Sequence, residues 1–370
     1  MSIDTLDTDT EALPPFVRAY PCQQAAGSPI YDEEIFMENT TLLKEAKKQF
    51  SRVGLTLFLG SLLIYATQNI AMAIAIRFSA VTQNTSLFFI SYMLPTNLIA
   101  YPLVMLMFKK VPLGLPKEEE RLSAKKMPFS HILIAFCLAY AGTFLFNLAG
   151  SLITVIIGAI KQSPVNNVVQ DLVTSINPPT LFIFVVIFAP VMEELLFRKL
   201  VVDRILKYGE TMAILFSGLL FGFFHGNLNQ FCYAFFLGSF FSFLYIRTRN
   251  ILYPILLHAM LNFFSGFLGS FVLNSEWMQE YMLTQNQEEL INSLLTHLKE
   301  AVLYMGYIFF IYAAIIAGFT FFFIYKKELK SIPREGDVPR GMRFKTMLFN
   351  PGMILFCLLW TGMIILQLMR

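Results

Sequence analysis

Residues 180–200, TLFIFVVIFAPVMEELLFRKL, form an apolar run that ends in two glutamates and an arginine. About 20 apolar residues in a helix cross the hydrocarbon core of a bilayer, so this segment predicts a transmembrane helix. A charge at that depth costs at least ~2.5 kcal/mol, and it is kept mainly where a partner neutralises it or a function uses it. Glu193, Glu194 and Arg198 are therefore the first candidates for a functional site.

The rest of the chain repeats this apolar pattern and predicts an all-α polytopic membrane protein. Hydrophobic residues make up 56% of the 370 residues and charged residues only 14%, whereas soluble domains carry ~25% charged residues. With residues 180–200 included, we expect a bundle of about nine transmembrane helices. The other candidate spans are residues 55–76, 87–108, 129–160, 212–224, 231–246, 251–272, 302–325 and 347–369.

The distribution of basic residues predicts the orientation of the chain. Short cytoplasmic loops retain Lys and Arg. If the N-terminus is cytoplasmic and the C-terminus external, all basic residues except Arg77, Lys161, Lys299 and Arg370 fall on the inner side. The net charge of +3 and the dispersed basic residues argue against a nucleic-acid partner. The expected location is the plasma membrane of a bacterium, and the bilayer itself is the expected partner.

The sequence divides into a tail and a membrane domain. Residues 1–50 are polar and are expected to form a disordered cytoplasmic tail without a cleavable signal peptide. Residues 51–370 form the transmembrane domain, with a functional core at about residues 180–270. Apolar residues at helical spacing in the outer loops, at residues 165–176 and 290–298, predict two amphipathic surface helices.

Two further spans carry ionisable side chains that could meet the glutamates. On a helix Glu194 and Arg198 are one turn apart and can pair, whereas Glu193 points about 100° away. The segment Phe221-Gly-Phe-Phe-His225 places an aromatic ring one helical turn below an imidazole, and His258-Ala-Met-Leu-Asn262 places an imidazole and an amide on one face. If the helix of Glu193 continues to about residue 207, Glu193 reaches roughly the depth of His225, and the site lies between the cytoplasmic face and the midplane.

Each feature also has a simpler interpretation. The Glu-Glu-x-x-x-Arg pattern can be a salt bridge at a helix end, and a single histidine in a membrane helix is more often a packing residue. His258 and Asn262 could serve helix association. A proton-coupled transporter would use Glu193, His225 and His258 as a relay. Transporters of this size usually have repeated halves, and the sequence shows no repeat of the glutamate or histidine motifs.

Taken together, the three motifs resemble those of the CAAX prenyl endopeptidase family, also called the CAAX protease and bacteriocin-processing family. The resemblance covers about residues 180–270 and implies an intramembrane endopeptidase. It implies that Glu193 and His225 activate a water molecule, that His258 and Asn262 stabilise the oxyanion, and that Glu194 with Arg198 holds the helix end. Lys199 stands where many relatives have glycine.

The chemistry of these residues agrees with that assignment. Peptide hydrolysis needs a base for water, donors for the oxyanion and an acid for the leaving amine. The same residues could instead bind zinc through Glu193, His225 and His258, although the sequence has no His-Glu-x-x-His pair. No cofactor is certain, and zinc stays open. The expected substrate is a membrane-associated peptide, either a prenylated CAAX-type protein or a bacteriocin-like precursor.

Overall fold

The structure is a computed structural model, and it describes residues 32–115, 124, 126–283, 287–333 and 337–369. Within these ranges the chain is helical and contains no strand. Nine helices correspond to the nine expected spans. We number them α1 (Asp32–Ala75), α2 (Thr85–Lys110), α3 (Phe129–Lys161), α4 (Pro178–Tyr208), α5 (Glu210–Phe224), α6 (Leu228–Thr248), α7 (Leu252–Leu273), α8 (Leu298–Tyr325) and α9 (Pro351–Met369).

Eight of these helices are long and apolar enough to cross a membrane, among the described residues. The exception is α5, which has 15 residues and is therefore only about 22 Å long. The chain is thus an all-α polytopic membrane protein, as expected. The predicted extension of α4 is confirmed, because its helical segment continues to Tyr208.

The first helix begins earlier than the sequence suggested. Part of the predicted tail, residues 1–31, lies outside the described residues, and residues 32–50 are helical instead of disordered. Ala46 and Phe50 are fully buried in the core. The prediction was wrong for residues 32–50 because apolar residues at helical spacing are interleaved there with a basic face.

Short helices connect the long ones. Both predicted amphipathic segments are helical, at Val168–Ser175 and Gln287–Thr296. A third short helix, Glu276–Leu283, precedes the second of these, and Arg343–Leu348 leads into α9. The long helices are not uniform, since α2, α4 and α7 contain π-helical segments at Thr96–Ala100, Phe182–Phe188, Leu195–Val202 and Asn262–Phe267. Such segments re-aim side chains and are frequent at functional sites.

The hairpin of α5 and α6 is the most closely packed helix pair near the candidate residues. A Cβ atom added to Gly238 would lie 2.8 Å from the Cα of Gly218 and 2.9 Å from the Cβ of Phe221. Only glycine allows this approach, which is the usual role of small residues between membrane helices. The contact fixes the part of α5 that carries Phe221 and leads to His225.

Charged groups tie the ends of α4, α5 and α6 together. Asp203, at the end of α4, accepts a hydrogen bond from the Tyr245 hydroxyl at 2.9 Å and pairs with Arg249 at 3.2 Å. Glu210 at the start of α5 pairs with Arg247 of α6 at 2.7 Å. Arg247 and Arg249, two of the basic residues that served above as topology signals, therefore also have buried structural partners.

Candidate active site

The two glutamates of α4 point in different directions, as their helical spacing predicts. Glu194 and Arg198 are both fully buried, and the Glu194 Oε2 atom lies 2.8 Å from the Arg198 Nε atom. The predicted ion pair is therefore confirmed. The guanidinium also lies over two aromatic rings, 4.6 Å from the ring centre of Phe221 and 5.6 Å from that of Phe241. Cation–π attraction is strongest in such a desolvated setting, so these rings help to hold the buried charge.

His258 of α7 joins the two glutamates. Its Nδ1 atom lies 2.8 Å from the Glu194 Oε1 atom, and its Nε2 atom lies 3.9 Å from the Glu193 Oε2 atom. A carboxylate only accepts hydrogen bonds, so the Nδ1 atom carries the proton that Glu194 binds. Direct contacts therefore link Arg198, Glu194 and His258 in a chain, and Glu193 stands at its outer end, at a distance too long for a hydrogen bond. The outer end of this chain is the more accessible, since 15% of the Glu193 side chain is exposed.

His225 ends α5 and is held by the turn that leads into α6. Its Nδ1 atom lies 2.7 Å from the backbone oxygen of Phe221, and the two rings are nearly perpendicular with centroids 4.8 Å apart. A carbonyl can only accept, so Nδ1–H is the donor and Nε2 keeps a free lone pair in the neutral ring. Gly226 follows with a φ of 64°. Asn227 then donates to the His225 carbonyl oxygen at 2.9 Å and caps α6.

Asn262 donates to the backbone of α4, whereas the role expected from the resemblance, stabilising the oxyanion, requires a hydrogen bond to the substrate. Its Nδ2 atom donates to the backbone oxygen of Val185 at 2.8 Å, in a π-helical segment of α4. The contact joins α7 to α4 and leaves one of the two amide N–H groups for another acceptor. In this arrangement Asn262 is placed beside α4, and it does not line the cavity described next.

Glu193 and His225 line one cavity of about 210 Å³ among the helices. The cavity is walled mainly by helices outside the three motifs, namely α1, α2 and α9. Its walls are mixed, with apolar and aromatic residues next to hydroxyl and amide groups. The other lining residues are Ser61, Ile64, Tyr65, Gln68, Met93, Thr96, Tyr101, Phe224 and Trp360.

Tyr101 of α2 is the lining residue that sequence analysis most clearly missed. Its side chain is buried, with 8% of the residue exposed, and it faces the same cavity as Glu193. Among the described residues its hydroxyl has no hydrogen-bond partner. A buried tyrosine hydroxyl usually has one. A signal was present in the sequence, because polar residues interrupt the apolar span of residues 87–108, but no motif connected that span to Glu193.

The three residues considered for zinc do not form a metal site in this arrangement. No group of three His, Cys, Asp or Glu side chains within the described ranges could hold a metal ion. The Nδ1 atoms of His258 and His225 are used by Glu194 and by a backbone carbonyl, which leaves both Nε2 atoms available, so these hydrogen bonds do not argue against zinc. Glu193, His225 and His258 are instead not grouped closely enough to share one ion as placed, and no chemical step below involves a metal.

A protein-family model matches this part of the chain. Residues 175–264 match the protein-family model described as Type II CAAX prenyl endopeptidase Rce1-like. This range contains all six predicted site residues, from Glu193 to Asn262. The resemblance inferred from the three motifs is therefore confirmed, and the chain carries an Rce1-like segment.

Two bacterial proteins are similar to the chain over a longer stretch. YdiL of Bacillus subtilis (strain 168), named as a candidate membrane peptidase, is 31% identical over 150 residues, which cover 40% of this chain and 61% of YdiL. The membrane-embedded CAAX protease MroQ of Staphylococcus aureus (strain USA300) is 27% identical over 164 residues, 42% of this chain and 64% of MroQ. The chain thus spans less than two thirds of each relative. No solved structure matches it at a significant level.

Proposed function

We propose that the protein is a membrane-embedded endopeptidase that hydrolyses a peptide bond with water activated by Glu193 and His225. One observation carries the proposal: Glu193, the least buried carboxylate of the α4 cluster, and His225, whose Nε2 atom is left free by its backbone contact, line one cavity among the membrane helices. The Rce1-like segment and the two bacterial relatives support it. The proposed setting is the plasma membrane of a bacterium, with a cytoplasmic N-terminus and an external C-terminus.

In the proposed reaction Glu193 is the general base. A water molecule in the cavity donates one hydrogen bond to the Glu193 carboxylate and the other to the His225 Nε2 lone pair. Glu193 takes a proton as the water oxygen bonds to the scissile carbonyl carbon. The proton then passes to the leaving nitrogen as the C–N bond breaks, which releases a carboxylic acid and an amine and restores the carboxylate.

The oxyanion needs hydrogen-bond donors, and the proposed donors are His258 and Asn262 of α7. Neither lines the cavity of Glu193 and His225, so this role requires the scissile carbonyl to lie on the α7 side of Glu193. Since Glu194 binds the Nδ1 proton of His258, the Nε2 atom can donate only when the ring is fully protonated. Asn262 has one N–H left after its bond to Val185. Tyr101 lines the cavity, its hydroxyl has no hydrogen-bond partner among the described residues, and we include it as a third donor.

Glu194 and Arg198 have a supporting role in this proposal. They do not line the cavity, but Glu194 holds His258, and Arg198 neutralises Glu194. The ion pair lies at the point where α4 changes from an α-helix to a π-helical segment. Catalysis would then depend on these residues through the position of His258.

The proposed substrate is a membrane-associated peptide that enters the cavity from the bilayer. Aromatic and apolar side chains of Tyr65, Phe224 and Trp360 line the cavity beside the reacting groups. Such a wall suits an apolar side chain or a lipidated residue next to the scissile bond. A prenylated CAAX-type protein and a bacteriocin-like precursor both provide that chemistry.

The decisive assay uses the full-length protein purified in detergent and a fluorogenic prenylated peptide. We expect cleavage at one bond, seen by mass spectrometry as two products whose summed mass exceeds that of the peptide by one water. An unprenylated peptide of the same sequence separates recognition of the lipid from recognition of the peptide. Failure to cleave either peptide, combined with proton-coupled uptake in proteoliposomes, would favour the transporter.

A metal chelator added to the same assay tests the zinc alternative. Because the described donor set does not fit zinc, we expect turnover to be unchanged after prolonged chelation. A loss of turnover that zinc alone restores would show that the reaction needs zinc and would contradict the metal-free mechanism.

A further inference from the structure

A basic groove lies along the first half of α1, far along the chain from the Rce1-like segment. The groove has a volume of about 430 Å³ and lies between α1 and the start of α9. Its lining includes four basic residues, Lys44, Lys47, Lys48 and Arg52. These positions follow the three- and four-residue spacing of a helix face, so the four charges form one stripe along α1.

The opposite face of this helical segment is fixed in the core. Ala46, Phe50 and Val53 are fully buried. Gln49 donates to the backbone oxygens of Pro112 at 2.7 Å and of Arg204 at 3.1 Å. The basic stripe is therefore presented by a rigid, packed helix. Its four side chains are exposed, and within the described ranges none of them forms an ion pair with a carboxylate.

The other wall of the groove is brought close by a glycine contact between α1 and α9. A Cβ atom on Gly352 would clash with the Ser51 backbone oxygen, and the Gly352 N–H donates to the Ser51 hydroxyl at 3.1 Å. Asn350 caps α9 by accepting from the Met353 N–H at 3.0 Å. The first turn of α9 thus faces the basic stripe and adds the positive end of its helix dipole.

The surroundings of the groove indicate a lipid environment. Leu55 lines the groove at the point where the predicted span of α1 begins, and it is 41% exposed. Next to α9, the exposed rings of Phe344 and Phe349 lie 5.9 Å apart. Aromatic residues beside basic ones are typical of the boundary between headgroups and hydrocarbon. An amphiphile with an anionic head and apolar chains would match both parts of this surface.

We infer that the groove binds the headgroup of an anionic phospholipid. The phosphate would lie among Lys44, Lys47, Lys48 and Arg52, and the acyl chains would run along Leu55 and the lipid-facing surfaces of α1 and α9. Basic residues next to a membrane helix attract anionic lipids of the adjoining leaflet. The inference does not depend on the peptidase proposal, because it concerns a separate surface. Bound lipid would stabilise the junction of α1 and α9.

The test is native mass spectrometry of the full-length protein in neutral detergent, titrated with phosphatidylglycerol or with phosphatidylcholine of the same acyl chains. We expect preferential binding of phosphatidylglycerol. The Lys47→Gln/Lys48→Gln variant should bind it about tenfold more weakly, since each basic residue near the surface contributes substantially to anionic-lipid affinity. The Lys47→Arg/Lys48→Arg variant should retain it.

The matched control is Lys109→Gln/Lys110→Gln, which removes two exposed charges at the end of α2. An equal loss of affinity in this control would overturn the inference, since it would reveal a general charge effect. So would equal binding of the two lipids, or saturation of the site by inorganic phosphate alone. If the groove variant does not fold, the unmodified protein still provides the test. Its preference for phosphatidylglycerol should vanish at ~1 M salt, where the screening length falls to ~3 Å.

Discussion

Arg198 is a fully buried charge whose neutralisation depends on one carboxylate. Its ion pair with Glu194 also fixes the carboxylate that holds His258. Removing one partner of a buried pair leaves the other uncompensated, which typically costs ~3–5 kcal/mol. We therefore expect Arg198→Ala to lower the yield of folded protein and the midpoint of thermal unfolding, as well as any peptidase activity. A variant that is inactive but as stable as the parent would show that Arg198 takes part in the reaction directly.

Tyr101 offers a cleaner test of a single hydroxyl. Tyr101→Phe removes the oxygen that faces the cavity and keeps the ring that packs against Phe224. Loss of one oxyanion donor in other enzymes costs ~10²-fold or more in turnover. We expect a decrease of this order in kcat, with little change in KM and in thermal stability. Unchanged kcat would remove Tyr101 from the proposed donor set.

Single residues also show why part of the site could be predicted and part could not. The pair of Glu194 and Arg198 follows from a spacing of four on one helix, and the edge-to-face contact of Phe221 with His225 follows from the same rule. The bond from Asn262 to Val185 depends on a π-helical segment that shifts the backbone of α4, and no local pattern encodes it. The position of Tyr101 depends on how α2 packs against α4, which apolar periodicity does not determine.

The α5–α6 hairpin is the helix pair on which the position of His225 depends. Gly238 has no room for a methyl group, whereas Gly306 of α8 has no atom within 4 Å of an added Cβ. Overpacking of a close contact costs ~1–3 kcal/mol. We expect Gly238→Ala to lower the unfolding temperature and activity together, whereas Gly306→Ala should leave both unchanged. Equal effects of the two substitutions would mean that the close contact does not position His225.

The long transmembrane helices could be predicted because the bilayer itself determines their conformation. Long apolar segments had only one stable conformation in a bilayer, because every backbone polar group must be satisfied internally. The sequence did not predict the start of α1, because the burial of Ala46 and Phe50 depends on neighbouring helices. The basic residues between them are typical of a soluble tail. The shortness of α5 was visible in the sequence.

The orientation of the whole chain is still a prediction from charge. Positive residues favour the cytoplasmic side, which places residue 249 inside and the loop around residue 288 outside. A reporter fused after Arg249 should give the signal of a cytoplasmic location, and a reporter inserted near residue 288 should give the signal of an external location. The reverse pair of signals would require an inverted chain and an outer-leaflet site for the basic groove.

The proposal that the whole molecule is a glutamate-dependent peptidase depends most directly on Glu193. Glu193→Gln preserves the size of the side chain but removes the base, whereas Asn262→Ala removes a proposed donor and leaves the base intact. We expect Glu193→Gln to abolish cleavage of the prenylated peptide while folding and peptide binding persist, and Asn262→Ala to leave a trace of activity, about 10²- to 10³-fold reduced. If Glu193→Gln retains more than about one hundredth of parental turnover, a reduction smaller than removal of a single donor typically causes, then Glu193 is not the base and the proposed mechanism is wrong.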